Sequence, residues 1–192
     1  MIIGLTGGSG TGKSTACRFF RDNSFVVIDA DKVYEGLCQK ASPLINEISH
    51  TFGAGVLNKD LSLNRTELSK IVFSDSEKLK ILNSITHKYI IDKIKEIISD
   101  NSQRNIVIDA PLLIEAGLDK ICDLTVCILA DREKRIERIM QRDNKSFDEA
   151  KRRIDSQKDD EFYLSKCDIS VYNNSAEDDM IKSLTKELNK YV

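Results

Sequence analysis

The residues best suited to chemistry lie at the start of the chain. Gly7-Gly8-Ser9-Gly10-Thr11-Gly12-Lys13-Ser14 fits G-x-x-x-x-G-K-[ST], the pattern of a loop that cradles phosphates. Glycines permit backbone angles that turn successive N–H groups to one side, forming a concave nest for oxygen anions. A helix beginning near Lys13 would aim the positive end of its dipole at the same anions. Lys13 then supplies a compact charge for β- and γ-phosphates, and the Ser14 hydroxyl can ligate magnesium. The loop also has the right setting, with apolar Ile2, Ile3 and Leu5 before it and Ala16, Phe19 and Phe20 after it. Strand, loop and helix in that order are what the motif requires. A nucleoside triphosphate is the ligand this implies.

Carboxylates at two further places complete a phosphoryl-transfer reading. Ile28-Asp29-Ala30-Asp31 closes a second apolar run, and Ile108-Asp109-Ala110-Pro111 closes a third. In parallel α/β sheets, ligands gather beyond the C-terminal strand ends. Asp29 and Asp31 are one residue apart, so an extended chain projects both the same way. One of them can instead cap a helix starting near Lys32; Asp31 is favoured as the base and Asp29 as a structural residue or cap. Asp109 can hold magnesium directly or through water, or alternatively form a turn before Pro111. No N-K-x-D signature of a guanine-specific switch is present, because Asn58-Lys59, Asn144-Lys145 and Asn189-Lys190 all lack Asp at the fourth place. A helicase or transporter motor would need a longer chain. A small-molecule kinase fits the size.

The elements that must position these groups read as α/β. Met1–Leu5, Phe25–Ile28, Ile106–Ile108, Leu124–Leu129 and Asp168–Val171 are apolar runs of strand length. Several are apolar at consecutive positions, as in strands buried on both faces of a parallel sheet. Between them fall helical periods, such as Leu79, Leu82, Ile85, Tyr89, Ile90, Ile94, Ile97 and Ile98, and later Met180, Ile181, Leu184 and Leu188. Such stripes are core faces. The stretch from Asp31 to Asp100 has no convincing strand and is too long for an ordinary crossover, so an inserted helical subdomain is expected. Arg132 to Lys166 holds eleven basic and nine acidic residues, either a solvated helical face or an arm closing over phosphates.

The whole chain has 192 residues, 29 basic and 31 acidic, for a formal charge of -2. That length can bury a sizeable core without metal or disulfides. The charge argues against nucleic acid held mainly by global electrostatics. Five scattered cysteines without a C-x-x-C pair, and only two histidines, fit neither a disulfide framework nor a zinc site. No apolar run is long enough for a membrane helix, and the first residues lack an export pattern. The cytosol is the expected location.

Taken together, the motifs resemble the dephospho-coenzyme A kinase family. Gly4-Leu5-Thr6-Gly7-Gly8-Ser9-Gly10-Thr11-Gly12-Lys13-Ser14-Thr15 is similar to its G-L-T-G-G-I-G-S-G-K-S-T, and Val27-Ile28-Asp29-Ala30-Asp31 to its V-I-D-A-D. Asn64-Arg65, Leu82-Asn83 with His87, Asp109-Ala110-Pro111-Leu112-Leu113-Ile114-Glu115, Gln141-Arg142-Asp143, Arg153 with Ser156-Gln157, and Cys167-Asp168 with Asn173 follow in order. Ser9 and Ile114 replace an apolar and an aromatic residue, and Lys88 stands where the family usually has Pro.

The resemblance implies transfer of the ATP γ-phosphate to the ribose 3′-hydroxyl of dephospho-CoA, the last step of coenzyme A synthesis. It implies a three-layer P-loop kinase core (about 1–31, 104–131 and 167–192), a helical acceptor-binding insertion (about 32–103) and a helical lid (about 132–166). By position, Gly10, Thr11, Gly12, Lys13, Ser14 and Thr15 would grip ATP. Asp31 would be the base, Lys13 and Arg142 would stabilise the moving phosphoryl group, and Ser14 and Asp109 would hold magnesium. Arg65, Asn83 and His87 fall in the acceptor-binding region.

Overall fold

The computed structural model describes residues 1–191. Strands β1 (Ile2–Thr6), β2 (Val26–Asp29), β3 (Ile106–Asp109), β4 (Leu124–Leu129) and β5 (Ile169–Tyr172) form one sheet in the order β2-β3-β1-β4-β5. β1 runs parallel to β3 and to β4, and β4 parallel to β5. These are the five apolar runs of the sequence, with small shifts at their ends. β4 is buried at every position, so its uninterrupted Leu-Thr-Val-Cys-Ile-Leu reflects helices and loops on both faces.

The helices in chain order are α1 (Lys13–Asp22), α2 (Ala30–Leu37), α3 (Pro43–Phe52), α4 (Arg65–Phe73), α5 (Ser76–Asp100), α6 (Arg132–Asp143), α7 (Phe147–Asp155), α8 (Asp160–Leu164) and α9 (Glu177–Leu188). The chain divides into two compact units, Met1–Val27 with the chain from Gln103 onward, and Ile28–Ser102.

In the first unit, α1 and α9 cover one face of the sheet. Ala16, Cys17 and Phe20 of α1 and Met180, Leu184 and Leu188 of α9 join Ile3, Leu5, Val126, Ile128, Ile169 and Val171 in one cluster. Burying one such side chain stabilises by roughly 1.5–3 kcal/mol. On the other face Tyr163 of α8 packs on Cys127 and Leu129 of β4. α6 and α7 share a small core of Ile136, Ile139, Ala150 and Ile154. Ser146 starts α7 with a reciprocal capping box to Glu149, a sequence-local device that leaves the arginine-bearing faces of both helices unconstrained by the cap.

Beyond the end of β2 the second unit is built of helices, with an isolated bridge between Leu57 and Leu63. Leu44, Ile48, Val56, Leu68, Val72 and Ile85 form its core. Its helices begin at Asp29, Ser42, Asn64 and Asp75, each of whose side chains accepts a hydrogen bond from the first turn. Such caps are worth ~1 kcal/mol each.

One geometrical expectation is corrected here. β2 ends at Asp29 and α2 begins at Ala30, earlier than Lys32. Asp29 is the cap, accepting from the Lys32 N–H at 3.1 Å, while exposed Asp31 lies in the first helical turn. The two carboxylates are therefore not neighbours on one face of an extended strand, because the chain turns into α2 between them.

Candidate active site

The loop after β1 is shaped by glycine. Gly12 has φ 98°, and a Cβ there would lie 2.0 Å from Asn173 Nδ2. Gly10 has φ 80°, and its Cβ would lie 2.6 Å from the Arg135 carbonyl oxygen. Both the dihedral and the space exclude a side chain. The benefit is closeness: Asn173, just after β5, donates from Nδ2 to the Thr11 carbonyl at 2.8 Å. Thr11 in turn donates its hydroxyl to the Gly8 carbonyl at 2.9 Å.

At the end of the loop, Lys13 and Cys17 are four residues apart and share a face of α1. Both reach Asp109, the last residue of β3. Lys13 Nζ makes a short ion pair with Asp109 Oδ1, and Cys17 Sγ donates to Asp109 Oδ2 at 3.1 Å. Burial, then the Asp109 charge, pushes the Cys17 thiol up to about 12. It stays protonated near neutrality and acts as a donor, not as a nucleophile. Asp109 thus serves the loop lysine directly and is not spent on a turn before Pro111.

Loop and strand end form one side of a cavity of about 670 Å³. Arg138 and Arg142 of α6, Arg153 of α7, Gln157, Asn173 and Glu177 complete it. Ser14 and Thr15 line the same cavity. Arg142 makes a two-pronged pair with Asp143, at 2.7 and 2.8 Å, and Arg153 reaches the same carboxylate at 2.7 Å. The Arg142 hydrogen bond, then the neighbouring positive charges, draw the Asp143 carboxyl down to about 2. One carboxylate thereby holds two cavity arginines.

Three residues here were not assigned a role by sequence reasoning. Arg135 is buried and donates from Nε to the Ser9 carbonyl at 3.0 Å. Arg138 donates to the Gly10 carbonyl at 3.1 Å and to the Asn173 carbonyl at 2.8 Å. Gln157 accepts from the Ser9 N–H at 2.9 Å and donates to the Ser9 hydroxyl at 3.0 Å. A signal did exist: Arg135, Arg138 and Arg142 recur at helical spacing, which puts three guanidinium groups along one side of α6.

The remaining sequence candidates lie in the helical unit. Asp31 is in the first turn of α2, and Arg65 opens α4 with its guanidinium 5.6 Å from the centre of the Tyr34 ring. Asn83 and His87 stand one turn apart on α5. Among the described residues no group of three or more His, Cys, Asp and Glu side chains could hold a metal, and no helix is long and apolar enough to cross a membrane.

A parallel sheet whose first strand feeds a phosphate loop, with arginine-bearing helices lining the same cavity, is the architecture of a P-loop kinase. Solved structures agree. A Thermus thermophilus protein, TT1252, superposes with a TM-score of 0.83 at 26% identity, covering 100% of this chain and 98% of that one. The dephospho-CoA kinase from Campylobacter jejuni superposes with a TM-score of 0.68 at 29% identity, over 99% and 96% of the two chains. The sequence model of the dephospho-CoA kinase family matches residues 1–179. A dephospho-CoA kinase from Fusobacterium nucleatum is 38% identical over 186 residues, 97% of this chain and 96% of its own. The chain belongs to the dephospho-CoA kinase family.

Proposed function

We propose that this kinase transfers the γ-phosphoryl group of ATP to the ribose 3′-hydroxyl of dephospho-CoA, yielding coenzyme A. The observation that carries the reading is the joining of Lys13, Asp109 and the arginines of α6 and α7 around one cavity at the phosphate loop. A phosphoryl group in flight carries charge on its equatorial oxygens, and catalysis consists mostly of aligning it and neutralising that charge.

In this reading Gly10 to Thr15 hold the triphosphate through backbone N–H groups and the α1 terminus. Lys13 Nζ exchanges its Asp109 partner for phosphate oxygens. The Ser14 hydroxyl and the Asp109 carboxylate are hard oxygen donors on the same cavity, a set that suits magnesium completed by phosphates and water. Held there, the ion would supply positive charge to offset the phosphate oxygens. Arg142 serves as the lid arginine, exchanging the Asp143 carboxylate for the phosphoryl oxygens as α6 to α8 close. Asp31 accepts the proton of the ribose hydroxyl. Arg65, Asn83 and His87 take part in holding the acceptor within the helical insertion.

The test is mass spectrometry of the product after incubation with ATP, magnesium and dephospho-CoA, alongside a panel of nucleoside monophosphates and small alcohols. Coenzyme A formed from dephospho-CoA alone is the expected result. ATP consumed with another acceptor, or with none, overturns the assignment of the substrate.

A further inference from the structure

The phosphate loop is held at Ser9 by two residues that belong to the charged arm between β4 and β5. Arg135, on α6, is buried among polar groups, with 6% of its side chain exposed. Its Nε donates to the Ser9 carbonyl at 3.0 Å and its Nη2 to Gln157 Oε1 at 2.9 Å. The same Gln157 oxygen accepts the Ser9 N–H at 2.9 Å, and Gln157 Nε2 donates to the Ser9 hydroxyl at 3.0 Å. Asp160 lies 3.8 Å from the other end of the guanidinium. Ser9 therefore closes a ring of hydrogen bonds with one arginine and one glutamine.

Two successive peptide groups of the loop are affected differently. In the Gly8–Ser9 peptide the N–H is taken by Gln157. Its opposite end, the Gly8 carbonyl, accepts the Thr11 hydroxyl. This peptide is fully engaged within the protein. In the Ser9–Gly10 peptide, Arg135 holds the carbonyl. There are no cis peptide bonds among the described residues, and in a trans peptide the C=O and N–H point in opposite directions. Fixing the Ser9 carbonyl on Arg135, which does not line the large cavity, turns the Gly10 N–H away from Arg135. Gly10 itself lines that cavity.

We infer that Arg135 and Gln157 are positioning residues that orient the Ser9–Gly10 peptide so that the Gly10 N–H is offered to the phosphate cavity. Neither touches the reacting atoms. The arm that carries them is also the arm that carries Arg142 and Arg153, so its seating on Ser9 couples loop geometry to arginine placement. A preorganised donor of this kind matters most when charge builds on the departing phosphate, and removing one lowers turnover by about 10²-fold. This rests on the kinase reading above, and its test separates the two.

Arg135→Lys keeps the positive charge near Asp160 and loses the forked contact. Turnover should fall about 10²-fold while KM for ATP changes less than about threefold, the split expected of an interaction strengthened in the transition state. Gln157→Met, which leaves Arg135 in place, should lower turnover about tenfold by the same reasoning. If Arg135→Lys does not fold, Gln157→Met carries the test alone. In ¹⁵N-edited spectra the Gly10 amide of the wild type should shift on addition of Mg·ADP, and the shift should shrink in either folded variant. A variant with a lowered melting temperature but unchanged turnover and an unchanged Gly10 response would overturn the inference. The Gly10 response needs no acceptor, so the orientation can be judged even if the wild type makes no coenzyme A.

Discussion

At Ser9, the carbonyl and the N–H are bound by side chains 126 and 148 residues further along the chain. At Asp75, in the helical unit, the bonded groups belong to Glu77 and Lys78 close by. The same contrast runs through both regions. The phosphate loop is short of apolar side chains, and its shape is imposed by Arg135, Arg138, Gln157 and Asn173 through their polar contacts. The helical unit is held by an apolar core around Leu44 and Ile48, while its charged residues make local pairs such as Lys70–Glu67 and Lys80–Glu77 on the surface. Hydrogen bonds fix direction, and hydrophobic burial does not. A site that must align a phosphoryl group is therefore built from the first kind of contact. A unit proposed to accommodate a larger acceptor can rely on the second.

The largest effect expected concerns Asp31, because the proposal gives this exposed residue of the helical unit a chemical task. Asp31→Asn should lower turnover by roughly 10² to 10⁴ and leave ATP affinity nearly intact. Steady-state rates with calorimetric ATP binding would decide it, and near-normal turnover would confine the chemistry to the phosphate-loop region. Next comes the core of the helical unit. Ile48 is fully buried, so Ile48→Ala should destabilise by about 2–5 kcal/mol. Denaturant unfolding should register that loss while Mg·ATP binding in the folded protein stays unchanged; parallel loss of ATP affinity would show that the two regions are not independent.

The smallest effect sharpens the polar side of the contrast. The Asp143 carboxyl is drawn from 3.8 to about 2 by Arg142 and, secondarily, by Arg153. A lowered folded-state value means that the carboxylate stabilises the fold fully above its ordinary pKa and stops doing so as pH falls through about 2. The melting-temperature gap between wild type and Asp143→Asn should be constant above that ordinary range and close between the two values. A gap that persists in stronger acid would mean that Asp143 contributes by packing and not by charge.

Much of the molecule was legible because the signals are local. The alternation of apolar runs with helical periods gave the five strands and the long α5. The Asp29–Ala30–Asp31 segment was harder. Two aspartates after an apolar run fit either an extended end or a cap, and the strand-to-helix turn at Ala30 decided for the cap. Arg135 and Gln157 were harder still. Arg135 lies on charged α6 and Gln157 in the connection between α7 and α8, a stretch that composition alone assigns to solvent, and only their meeting at Ser9 distinguishes them from Lys134 or Lys158.

What the sequence determined by itself is the presence of a phosphate loop, the parallel α/β core and the family to which the chain is similar, since each depends on residue type at short spacing. Tertiary structure decided which cations face the loop, which aspartate pairs with Lys13, and which way the Ser9 carbonyl points. Those outcomes depend on direction and distance between groups more than a hundred residues apart, and neither is encoded in local periodicity.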